Sequence, residues 1–187
     1  MARDKHEKHD KHDQPVVVSE SGQGPYQQSI RVGKHHLIAD EPVAMGGADT
    51  GPAPFDFLLA SLGSCTSITL RMYAERKKLP LTGISVELAH DRIDVEGHGK
   101  VDRISRTITL QGDLTSEQRS SLLAIANKCP MYRTLQSDIR IESVLATGRP
   151  APVDWLAIAN KCPMYRTLQS DIRIESVLAT GRPAPVD

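Results

Sequence analysis

The residues of this chain best equipped for chemistry are its three cysteines, Cys65, Cys129 and Cys162. A thiolate is a nucleophile, it can be oxidised stepwise, and two thiols that meet can close a disulfide and reopen it. Cys65 shares a spacing of three and four with Leu58, Leu62, Ile68 and Met72, which predicts one apolar helix face with the cysteine on it. Cys129 stands before Pro130. Proline suits the first position of a helix, so Cys129 is expected near an N-cap, where unpaired N–H groups, the helix dipole and Arg133 favour its thiolate. Cys65 and Cys129 lie 64 residues apart, and spacing alone does not make them a pair. Two small buried hydrophobes are the plainer alternative.

Histidine is the other candidate. Residues 1–14, MARDKHEKHDKHDQ, carry His6, His9 and His12 among lysines and acids. Such a segment cannot offset the entropy of ordering and is expected to be a disordered tail, either a solvated one or a weak metal scavenger. His35 and His36 read as strand-edge residues, and His90 and His98 lack the cysteines or spacing of a metal site. No bound metal or cofactor is expected.

Twenty-three Lys and Arg balance twenty-three Asp and Glu. That balance removes the electrostatic case for nucleic acid or an anionic membrane. No apolar run approaches the roughly 18 residues of a spanning helix, and no leader pattern opens the chain. Three cysteines are too few for a disulfide framework. The reading is a cytoplasmic protein with reactive rather than structural thiols.

The elements that must position the cysteines alternate between strand and helix signals. Strands are predicted from Val16, over Tyr26–Val32 and over His35–Ala39, with Gly33-Lys34 as the turn. A loop rich in Gly and Pro leads to the Cys65 helix, predicted to begin near Pro54 with Asp56 in its first turn, to loosen at Gly63-Ser64, and to end at Arg76–Lys78 before Pro80. Ile84–Leu88 and Ile104–Leu110 alternate as strands joined by a polar loop. Thr115-Ser-Glu-Gln118 is a capping box ahead of an amphipathic helix, and Ile139 to Leu145 is expected to be the closing strand.

Residues 123–154 recur without change as 156–187, separated by Trp155. Repeat arrays drift and recur more than once, so the expectation is a recent duplication or an assembly artefact rather than a solenoid. The expected organisation is a tail over 1–14, a domain over 15–154 and a duplicate over 155–187. The duplicate is either a loosely held appendage or a competitor for the slot of the last strand.

Two segments carry a resemblance: Gly-Gly-Ala-Asp-Thr-Gly-Pro-Ala-Pro-Phe-Asp-Phe-Leu-Leu-Ala-Ser-Leu-Gly-Ser-Cys65-Thr and Asn-Lys-Cys129-Pro-Met-Tyr-Arg-Thr-Leu. From about Val16 to Leu145 the chain resembles the OsmC/Ohr family, the osmotically inducible protein C and organic hydroperoxide resistance proteins. The resemblance implies an α+β fold with antiparallel sheets wrapped around two central helices, each bearing a cysteine, in an intertwined homodimer with sites at the interface. It implies a thiol-dependent peroxidase in which Cys65 attacks an organic hydroperoxide, Cys129 resolves the product and a thiol or dithiol resets the pair. The family pattern also has an arginine in the early strands and an acid about ten residues before the first cysteine. Here Phe55 takes that acid's place, Asp56 stands next to it, Gln23 occupies the early turn, and Arg31 is the one arginine between Val16 and Cys65. The alternative is a non-catalytic relative that binds a small apolar ligand at the dimer interface.

Overall fold

The computed structural model describes residues 14–143, 162–170 and 172–179. The expectations for the histidine-rich tail and for the junction of the two copies lie outside these residues. The chain divides into two compact units, residues 1–56 and 57–187.

The first unit is an antiparallel meander of β1 (Val16–Glu20), β2 (Gln28–Val32) and β3 (His35–Ala39), with Val16 opposite Val32 and Ile30 opposite Leu37. The turn at Gly33 needs φ of +58°, which glycine adopts without a steric penalty. His35 and His36 lie exposed on β3, the edge strand. The following loop is organised by Asp40. Its buried carboxylate accepts the N–H groups of Glu41, Ala48 and Thr50 and the Thr50 hydroxyl at 2.8–3.2 Å. The Thr50 hydroxyl is the main cause holding the Asp40 carboxyl below its ordinary range.

Helix α1 (Pro54–Lys77) opens with proline, and Asp56 accepts the Ala53 N–H at 2.9 Å. Basic Arg76 and Lys77 close it, and Leu79 N–H reaches back to Ala74 O at 2.9 Å. The helix runs unbroken through Gly63, where loosening was expected. Gly63 has a packing reason instead: a Cβ there would lie 2.8 Å from Leu88 Cδ1.

In the second unit, β4 (Leu81–Val95) and β5 (Gly99–Gly112) form one long antiparallel hairpin. The polar stretch expected as its loop is strand, because the charges answer each other across the register. Asp91 faces Arg103, and Arg103 Nε donates to Asp91 Oδ1 at 2.9 Å. His90 Nε2 lies 2.8 Å from Asp102 Oδ1. Then come α2 (Ser116–Ala126), α3 (Pro130–Leu135), α4 (Pro163–Leu168) and β6 (Ile172–Ala179). Thr115 makes the expected capping box with Gln118.

Among the described residues two apolar clusters fill this unit. One joins Leu70 and Ala74 of α1 to Ile108 and Leu110 of β5 and Leu122 and Ala126 of α2. The other joins Leu62 of α1 to Ile104 of β5, Cys129, Leu135 of α3 and Ile172 of β6. The buried line of α1 is therefore Leu62, Thr66, Leu70 and Ala74. The line read from the sequence runs along its flank, where Ile68 and Met72 are exposed.

The closing strand does not come from the first copy. Residues 139–143 form no strand, whereas the same sequence in the second copy, β6, pairs parallel with β5 from Asp102↔Ile172 to Thr109↔Ala179. The α+β architecture is as expected, with one parallel pairing added to otherwise antiparallel sheets. The copies also meet reciprocally. Gln136 Nε2 donates to Ile172 O and its duplicate Gln169 Nε2 donates to Ile139 O, both at 2.6 Å. This is the exchange expected of a two-fold, isologous contact, made here within one chain.

Candidate functional site

Two elements, α1 and α3, bring the sulfur chemistry together in the second unit. α1 carries Cys65 and, one residue on, the buried Thr66. Cys129 is the N-cap of α3, where its sulfur accepts the Tyr132 N–H at 3.3 Å. Pro130 at the first helical position fixes that cap. The next amide, Met131 N–H, points at Cys65 Sγ from 3.5 Å. One turn of backbone thus engages both sulfurs, and Cys65 and Cys129 share one apolar cluster. Cys129 is fully buried, Cys65 is partly exposed, and both are free thiols. Cys162, the copy of Cys129, is exposed and makes no side-chain cap bond.

The residue that sequence reasoning missed is Arg106. It stands on β5 between Ile104 and Ile108, on the face that is buried at every second residue. A charged residue within an apolar row of period two was the available signal. Arg106 is 1 % exposed. Its Nη1 donates to Thr66 Oγ1 at 2.7 Å, its Nη2 to Asn127 Oδ1 at 2.7 Å, and Nη2 and Nε to Ser176 Oγ at 2.7 and 3.1 Å. The Tyr132 ring lies 5.3 Å from the guanidinium carbon. Thr66 Oγ1 in turn lies 3.6 Å from Cys129 Sγ. The hydroxyl thus bridges guanidinium and sulfur.

Burial is the main cause pushing the Cys65 thiol above its ordinary value; the Met131 N–H opposes it, and the nearby Cys129 adds to it. Burial likewise lowers the Arg106 pKa, against which Cys129 and Tyr132 work. A buried cation costs several kcal/mol even after relaxation, so the four elements that meet at Arg106 hold it at some expense.

Asp56 is exposed, and its carboxylate is engaged with the start of α1. His90 is engaged with Asp102, which Arg92 and Ser170 also approach, at 3.7 and 3.4 Å. Among the described residues no group of three or more His, Cys, Asp or Glu is placed to hold a metal ion. No described helix is long and apolar enough to cross a membrane.

Residues 46–144, more than half of the chain, match the family model described as OsmC-like protein. The chain belongs to the OsmC-like family. Both Cys65 and Cys129 fall inside the matched stretch. A sequence search of curated proteins found no match. The OsmC-like fold recurs in solved structures at low identity. The chain is similar to an organic hydroperoxide resistance protein OsmC from Legionella pneumophila, at 13 % identity and TM-score 0.57, over 92 % of this chain and 100 % of that one. It is similar to an OsmC like protein from Mycoplasma pneumoniae, at 15 % identity and TM-score 0.57, over 91 % and 99 %. The organic hydroperoxide resistance protein OhrB of Bacillus subtilis aligns at 15 % identity and TM-score 0.50, over 89 % and 97 %.

Proposed function

We propose that this OsmC-like chain is a thiol-dependent peroxidase that reduces organic hydroperoxides through Cys65 and Cys129. The observation that carries the reading is the shared helix start: Met131 N–H addresses Cys65 while Tyr132 N–H addresses Cys129. Adjacent amides thus address both free sulfurs. The partly exposed Cys65 meets the peroxide. Its thiolate attacks one peroxide oxygen, the O–O bond breaks, and the alkoxide leaves as ROH after taking a proton. Cys129 attacks the resulting sulfenic sulfur, the S–S bond forms and water departs. A dithiol supplies two electrons to restore both thiols. The apolar surroundings of Cys65, with Leu58, Leu59 and Met131 in the same cluster, favour organic hydroperoxides over the strongly hydrated hydrogen peroxide. Asp56 serves the helix start in this scheme rather than the sulfur chemistry.

Exposed Ile68 and Met72, on the flank of α1 that Cys65 shares, support a homodimer that covers them. Free thiols suit a reducing cytoplasm. The rival reading, a scaffold that binds a small apolar ligand, is favoured by the raised Cys65 thiol, which slows attack on a peroxide. Consumption of cumene hydroperoxide by the reduced protein with a dithiol donor separates the two. Catalytic turnover with a Cys65–Cys129 linkage in the mass spectrum supports the peroxidase. Slow stoichiometric oxidation overturns it in favour of the binding scaffold.

A further inference from the structure

Among the described residues Arg106 is a cation without a paired anion. Its hydrogen-bond acceptors are Thr66, Ala126, Asn127 and Ser176, all neutral, and its stacking partner is the Tyr132 ring. Among the described residues no carboxylate makes an ion pair with it; the ion pairs there join Asp102 to His90 and Arg92, and Arg103 to Asp91 and Glu175. A charge buried to 1 % exposure without a counter-charge is unusual. Two ionisable groups lie beside it, the Tyr132 phenol and the Cys129 thiol, which ordinarily ionises at the lower pH and is reached through Thr66 Oγ1.

We propose that Arg106 is the counter-ion of a Cys129 thiolate, making Cys129 the anionic member of the pair and the sulfur that leaves when the disulfide is reduced. The proposal rests on the peroxidase reading for its place in a cycle. The surroundings suit an anion. Thr66 has one hydroxyl hydrogen, and Arg106 already donates to its oxygen, so that hydrogen is available either to Leu62 O, 2.8 Å away, or to the sulfur. The Tyr132 N–H adds a second donor to the same sulfur.

This arrangement gives reduction a direction. A dithiol's thiolate attacks Cys65 Sγ, the partly exposed sulfur. The S–S bond breaks and its electron pair goes to Cys129, which leaves as a thiolate beside the guanidinium. The donor's second thiolate then attacks the mixed disulfide on Cys65, and the donor departs as its own disulfide while Cys65 takes up a proton. A sulfur better stabilised as an anion leaves faster.

The test begins with the Cys65→Ser/Cys162→Ser protein, which keeps Cys129 alone. Thiolate absorbance near 240 nm is expected in the folded, reduced protein at neutral pH, retained with Arg106→Lys and lost with Arg106→Gln. Its absence while Arg106 is intact overturns the proposal, even where Arg106→Gln does not fold. In the Cys162→Ser protein, oxidised by diamide and quenched early during reduction by dithiothreitol, the adduct is expected on Cys65. Arg106→Gln should slow the release about tenfold. An adduct on Cys129 overturns the proposal. None of these steps uses peroxide. A Cys129 thiolate without hydroperoxide turnover sinks the peroxidase reading alone, and turnover without the thiolate sinks this one alone.

Discussion

The amide hydrogen of Met131 is aimed at the sulfur of Cys65 across 3.5 Å. That single contact ties the helix carrying one cysteine to the turn carrying the other, and it is where the chemistry should be most sensitive. Cys65→Ser should reduce hydroperoxide turnover to background, and Cys129→Ser should allow one oxidation and then stall. Cys162→Ser, at an exposed site, should leave the rate unchanged. A coupled assay of dithiol consumption reads all three, and equal losses from Cys129→Ser and Cys162→Ser would contradict the assignment of the first copy.

Burial holds the Cys65 thiol above its ordinary value. The reactive form therefore becomes populated only as the pH rises past the range of a free thiol. The rate of Cys65 oxidation by hydroperoxide should climb with pH, with its midpoint above the roughly pH 8.5 at which a free cysteine is half ionised. Stopped-flow oxidation across pH 6–10 measures this, and a plateau below pH 7 would contradict it.

Asp40 makes the opposite prediction in the first unit. Its folded pKa lies below the unfolded value, chiefly through the Thr50 hydroxyl. The stabilisation is complete above the unfolded carboxylate pKa and is lost as the pH falls through the folded one. Amide exchange, corrected for intrinsic rates, should show protection at Ala48 and Thr50 at pH 6 and its loss in acid. Asp40→Asn should remove that protection at pH 6 as well.

The two copies differ in what their serines hold. Ser176 accepts two bonds from Arg106, whereas Ser143, its duplicate, is exposed. Ser176→Ala should cost about 1–3 kcal/mol by stranding buried donors, and Ser143→Ala less than about 0.5 kcal/mol. In a chain ending at Asp154 the first copy inherits the slot on β5, and the sensitivity should pass to Ser143. Denaturant unfolding of the full chain, its two serine variants, the shortened chain and its Ser143→Ala variant reads the exchange.

Much of this architecture was legible in the residues. Pro54 with Asp56 marked the start of α1, Thr115 with Gln118 marked α2, and Cys129 with Pro130 marked the cap that places the second sulfur. These signals are local, so a window of a few residues contains them. Arg106 was not legible as part of the site because its meaning depends on Thr66, Asn127 and Ser176, which come from three other segments. The closing strand could not be assigned, since 139–145 and 172–178 are one sequence and only tertiary placement separates them. Ile68 and Met72 misled because regular spacing marks a helix face without saying what covers it.

The reciprocal glutamines have a consequence for how the copies find each other. Gln136 and Gln169 each reach one carbonyl of the other copy, and two such bonds between separate molecules would amount to little, each netting about 1 kcal/mol. Joined in one polypeptide, the copies meet at an effective concentration in the millimolar range or above. Proximity then does the work that affinity would otherwise have to do. Cutting the chain between the copies should therefore weaken their mutual contact, leaving the second copy held by its pairing with β5.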